Sequence, residues 1–209
     1  MLIEEENKDA MWATGVLLAV LAFSSITVSS FEDAWPLKPV DSSDLQWLRL
    51  KTSDKVLWTL ANPMRPDSVF RVMSDIFSHN EKLPARGSDG VSVDLAKLCG
   101  LGDSSTAENN TYFGFVHALS RLLEIPNGHA SLGRIFMVVA FISKALRVCL
   151  EEKDPVALLL LYLWYTRARR SRCWIDHRAR YELPAIRAYL QRYHADKRCI
   201  QAILLMEST

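Results

Sequence analysis

The chain has 209 residues, 49% of them apolar, with only eight glycines and eight prolines. One domain suits that length, a domain near this size buries about 70% of the surface of its unfolded chain, and the composition excludes low-complexity and disordered classes. The net charge of +1 hides a gradient: residues 1–50 carry eight acids against three bases and residues 167–209 ten bases against four acids, an asymmetry suited to association between the ends or with an outside partner.

The first apolar segment is predicted as a helix from Asp9 to Ile26. Its residues 10–28 contain no charge, and as a helix they span ~28 Å, close to the ~30 Å hydrocarbon core of a bilayer. Two features oppose a membrane segment. The preceding Glu4, Glu5, Glu6, Lys8 and Asp9 are net acidic, where a signal peptide needs a basic start. Thr14, Gly15, Ser24, Ser25 and Thr27 also dilute the run.

A loop with Trp35-Pro36 and Pro39 follows. Ser42 or Ser43 is predicted to cap a second helix through Asp44, Leu45, Trp47, Leu48, Val56, Leu57 and Leu60. Asn62-Pro63 ends it, because the residue before a proline resists the α region. Pro66-Asp67 opens a third helix, with Val69, Phe70, Met73, Ile76 and Phe77 on one face. Residues 80–90 read as a loop, and a short helix over Val93 to Leu98 stops at Gly100 and Gly102.

Tyr112, Phe115, Val116, Leu119, Leu122 and Leu123 repeat at helical spacing. After a break at Pro126-Asn127-Gly128, Ile135, Val138, Val139, Ile142, Leu146 and Cys149 make the next stripe. Asp154-Pro155 starts a helix over Val156–Arg167. Its apolar run, Pro155 to Tyr165, is too short to cross a bilayer and suits a central helix buried on all sides. Asp176 is expected to cap a further helix, with Ile186, Tyr189, Leu190 and Tyr193, kinked or split at Pro184. Asp196 opens the last helix, through Ile200, Ile203 and Leu204. Residues 1–209 therefore read as one all-α domain, an irregular bundle of about eight helices.

No catalytic, metal or cofactor constellation emerges from the residue spacing. Cys99, Cys149, Cys173 and Cys199 form no C-x-x-C, which excludes zinc-knuckle and redox spacings and suits buried free thiols in a reducing compartment. His79, His117, His129, His177 and His194 form neither H-x-x-x-H nor H-E-x-x-H, and surface or capping places are expected for them. The stretch from Gly128 to Gly133 approaches a nucleophile elbow but lacks glycine at 129 and a preceding strand. No glycine loop has phosphate-binding spacing. The expectation is a protein that is not an enzyme and needs no cofactor or metal.

Arg167, Arg169, Arg170, Arg172, Arg178 and Arg180 crowd into 14 residues around Cys173-Trp174. They read either as a nuclear-import signal or phosphate-contacting patch, or as a solvated loop whose arginines complement a helix C-terminus. The tryptophans Trp12, Trp35, Trp47, Trp58, Trp164 and Trp174 read first as core, although an apolar ligand would fit among them without any polar motif.

Three stretches carry a family resemblance: Asn7–Phe23; Ala34–Phe70, with AWPLKP, SSDLQWLRL and NPMRPDSVF; and Asp154–Tyr165 followed by Arg178–His194. Together they resemble the C-terminal regulatory domain of fungal zinc binuclear-cluster transcription factors, especially those similar to the sterol uptake control protein. That family's domain is soluble, which is a third point against a membrane segment. The family's six-cysteine DNA-binding cluster has no counterpart here, and the helices that precede residue 7 in the family are missing, so the resemblance implies a partial domain.

By that resemblance the chain would act in the nucleus, in sterol or secondary-metabolite gene regulation. It would work without direct DNA contact, through a protein partner or a sterol-like apolar ligand lined by Leu160, Trp164 and Trp174. Two other readings stay open: a small protein anchored in a membrane by residues 10–28, and an accessory protein of a biosynthetic gene cluster.

Overall fold

The computed structural model describes residues 5–41, 44–74, 82–126 and 132–206, with backbone alone for residues 5, 6, 49–55 and 132. The described residues form helices and no strand, as an all-α bundle requires. In chain order these are α1 (Glu5–Ser24), α2 (Gln46–Ala61), α3 (Val93–Leu98), α4 (Phe113–Leu123), α5 (Leu132–Ala140), α6 (Lys144–Glu151), α7 (Pro155–Ala168), α8 (Cys173–Tyr193) and α9 (Arg198–Met206). Two short 3-10 helices, Phe31–Asp33 and Val69–Met73, lie in the connections before and after α2.

The core is built around α7. Asp154 caps it, its carboxylate accepting from the N–H groups of Val156 and Ala157, and Pro155 occupies the first turn, where a missing N–H costs nothing. Every residue from Ala157 to Tyr165 exposes 2% of its surface or less. Helices α4, α5, α6, α8 and α9 all pack against it. Burying each of its leucines contributes about 1.5–3 kcal/mol, so α7 is the helix around which the others gain most by assembling.

Several boundaries differ from the sequence expectation, each for a local reason. The proposed caps Ser42 and Ser43 lie outside the described residues. Helix α2 starts later, at Gln46, behind a left-handed Leu45 (φ 55°), and ends on a left-handed Asn62 (φ 42°). Asparagine tolerates that conformation well. Where the third helix is expected, Val69–Met73 is a 3-10 turn capped by Ser68, with Val69 and Val72 in solvent; Ser74 is helical, and Ile76 and Phe77 lie outside the described residues. The stripe from Ile135 to Cys149 is two helices, because the Ser143 hydroxyl accepts from the Leu146 N–H and starts α6 afresh. Helix α8 starts at Cys173 rather than at Asp176, and it runs through Pro184 without a break.

Helix α1 is fastened to this body at both ends. Near its start, Asp9 pairs with Arg65 at 2.8 Å and accepts from the Ser68 hydroxyl and the Val69 N–H at 2.7 and 3.0 Å. At its end, Arg178 of α8 donates to the carbonyls of Phe23 and Ser25, and its guanidinium lies over the Phe23 ring. Carbonyls at a helix C-terminus lack intrahelical donors, and a cation there also complements the helix dipole. Between these ties, Trp12 meets Trp58 edge to face at 5.2 Å. Gly15 sits so close to α2 that a Cβ there would run into the Leu57 side chain.

Candidate functional sites: an uncovered helix face and an arginine groove

Helix α1 carries apolar residues on two faces. Trp12, Gly15 and Phe23 turn toward α2, α8 and the core. On the other side Ala10, Thr14, Leu17 and Leu21, spaced by three and four residues, are exposed together with Val16 and Leu18. Leu17, Leu18 and Leu21 expose 62%, 57% and 62% of their surface. A helix that is apolar all round is normally buried all round, and a stripe with alternating three- and four-residue spacing is the pattern that packs against another helix. Val56 and Leu60 of the adjoining α2 are also exposed. This two-faced character is why residues 10–28 resemble a membrane segment in the sequence. Among the described residues, no helix is long and apolar enough to cross a membrane.

The six clustered arginines do not form one face. Arg178 leaves the basic patch altogether: it is buried, and besides its bonds to α1 it pairs with Glu182 one turn further along α8. Burial alone would lower its pKa, but the Glu182 carboxylate overrides this and holds the guanidinium charged. Glu182 in turn accepts from the Tyr165 hydroxyl at 2.6 Å. Burial, reinforced by that carboxylate, pushes the Tyr165 phenol well above its ordinary range. Arg167 donates to the Leu123 carbonyl at the end of α4. Arg169 and Arg180 share Asp176, at 3.2 and 3.1 Å.

The turn from α7 to α8 opens into a groove of about 850 Å³. Arg169, Arg170 and Arg172 line it, joined by Arg187, two turns beyond the cluster on α8. The spacing could have found it: Cys173, Asp176, Arg180, Leu183 and Arg187 follow one another by three or four residues along one face of α8.

Elsewhere several groups with chemical potential are held quiet by burial, whereas the free thiols of Cys173 and Cys199 are exposed, against the expectation of buried cysteines. Burial, and secondarily Asp154, push the Cys99 thiol up to about 12, so it stays protonated at neutral pH. Tyr112 donates to Asp154 at 2.9 Å, and burial together with that carboxylate raises its pKa strongly. His117 is buried, packs on Phe113 and contacts the Gly87 carbonyl at 3.2 Å; desolvation lowers its pKa. His194 ends α8, and His177 is exposed beside Tyr181. His79, His129 and most of the stretch from Gly128 to Gly133 lie outside the described residues. Among the described residues, no three potential ligand side chains gather as a metal site.

The three residues assigned to an apolar ligand are packed into the core. Leu160 is fully buried. Trp164 donates its indole N–H to the Ile135 carbonyl at 3.1 Å and stacks with Trp47. Trp174 lies between Phe136 and Phe23, with ring centres at 5.9 and 5.3 Å. A sterol-sized ligand at these positions would have to displace rings already in contact. Compared with protein families, with curated proteins and with solved structures, the chain matches none.

Proposed function

We propose that the chain is a non-catalytic helical interaction module of the transcription-regulator kind, and that it works by docking an apolar helix of a protein partner on the outer face of α1. The observation that carries this reading is the uncharged, exposed stripe Ala10, Thr14, Leu17 and Leu21, held in place by tethers at both ends of its helix. A helix this well anchored does not need its outer leucines for its own seating. A row of exposed leucines without charges is costly to leave in water and gains by meeting a complementary helix. The reading takes its nuclear site of action from the resemblance of Asn7–Phe23 and Asp154–Tyr165 to regulatory domains of zinc-cluster transcription factors.

The test uses the whole chain fused to an unrelated DNA-binding module, with transcription from the matching reporter as readout. The expected result is a change in reporter output that Leu17→Glu with Leu21→Glu abolishes while helix content is kept. A reporter indifferent to the fusion, or a response untouched by the double substitution, would count against the proposal.

A further inference from the structure

The groove between α7 and α8 concentrates charge that the protein does not neutralise. Arg169, Arg170, Arg172 and Arg187 line one concavity. Among the described residues its only lining carboxylate is Asp176, whose two oxygens are engaged by Arg169 and Arg180. Arg170 and Arg187 have no ion-pair partner among the described residues, and Arg172 makes one bond, to the neighbouring Ser171 carbonyl. A crowded lysine can relieve repulsion by losing its proton, but a guanidinium cannot. The neutralising charge has to come from outside.

The same end of the groove holds the start of α8. Arg172 stands at its N-cap and supplies no side-chain acceptor; the Ile175 and Asp176 N–H groups donate to the Arg172 carbonyl, so the N–H groups of Cys173 and Trp174 and the positive end of a 21-residue helix add to the arginines. Ser171, Arg172 and Cys173 line this end. Arginine forks pair with phosphate oxygens two bonds at a time, and the charges of Arg170, Arg172 and Arg187, which no carboxylate among the described residues pairs, exceed the roughly −1.5 to −2 of a single phosphate group. A polynucleotide backbone calls for an extended basic stripe. Here the cations converge on a concavity, and Arg178, which would extend them, is buried. An import signal read as an extended strand is also ill matched, because these arginines sit in the last turn of α7, the tight turn and α8.

The geometry points to a binding site for a free small molecule that carries two or more phosphate groups. Pyrophosphate is the simplest probe. Thermal unfolding and titration calorimetry of the full chain compare pyrophosphate, inorganic phosphate and sodium chloride at matched ionic strength. Pyrophosphate is expected to raise the melting temperature saturably, inorganic phosphate to do so less, and chloride to have little effect.

Arg170→Ala with Arg187→Ala is expected to weaken pyrophosphate binding by about tenfold per arginine. Helix content is expected to stay unchanged, since neither side chain has a partner to lose. The paired lysine variant keeps charge without the fork and is expected to fall in between. Three results would overturn the site: chloride matching pyrophosphate, the double alanine variant responding like the parent, or a response to an oligonucleotide with none to pyrophosphate.

Discussion

Helices α1 and α7 carry the two longest charge-free runs among the described helices, residues 10–24 and 155–166, yet they end in opposite circumstances. Helix α7 is surrounded by five helices and exposes almost nothing. Helix α1 is covered on one side by α2 and α8, and three leucines on its other side stand mostly in water. Apolarity fixes what a helix would gain by burial; the number of neighbours the chain supplies fixes how much of that gain is realised. For α7 the gain is realised in the core, whereas on α1 Leu17, Leu18 and Leu21 leave theirs unrealised.

Truncation should separate the two helices most sharply. Trp164→Ala in α7 removes a ring stacked on Trp47 and an indole bond to Ile135, and it is expected to cost about 3–5 kcal/mol in chemical denaturation. Leu160→Ala is expected to cost about 2–5 kcal/mol. Glu182→Ala strands Arg178 in the interior and frees the end of α1. It is expected to cost about 3–5 kcal/mol and to raise hydrogen exchange in α1 above that in α7.

Acid should distinguish the body from the tether. The folded pKa of His117 lies below its unfolded value near 6.5, so its contribution is complete above pH 6.5 and is lost as pH falls through the folded value. The pKa of Asp9 is lowered from 3.8, first by its bond from Val69 and then by Ser68, so the α1 tether holds until well into acid. Melting temperature is therefore expected to decline as pH falls below 6.5, with a flatter profile in His117→Gln, while the fastening of α1, read by exchange at residues 9–12, persists until below pH 3.8. The smallest effect belongs to Leu18→Ala on the outer face, expected within about 0.5 kcal/mol of the parent protein.

Much of the fold was legible because local rules and burial agree. The Asp154-Pro155 start of α7, the Asn62 stop and the stripe of α4 each follow from one or two residues whose chemistry allows few alternatives. The breaks that escaped depend on tertiary partners. Asp176 has the chemistry of a cap, but Arg169 and Arg180 claim its carboxylate and α8 begins a turn earlier. Pro184 removes one helical hydrogen bond from α8, and packing against α7 carries the helix through. Arg178 reads as surface charge among its neighbours; only the fold brings the Phe23 and Ser25 carbonyls and Glu182 around it. The outer stripe of α1 was hidden for the same reason, since periodicity shows two apolar faces without showing which has a neighbour.

The contrast between the two helices is tested most directly by the urea unfolding free energy of Leu17→Glu with Leu21→Glu. If the outer face of α1 is open in the isolated chain, the double variant unfolds within about 1 kcal/mol of the parent, as two independent surface substitutions should. A loss of about 3 kcal/mol or more, the signature of charges forced into a packed interior, would mean that the chain covers this face itself and has nothing there to offer a partner.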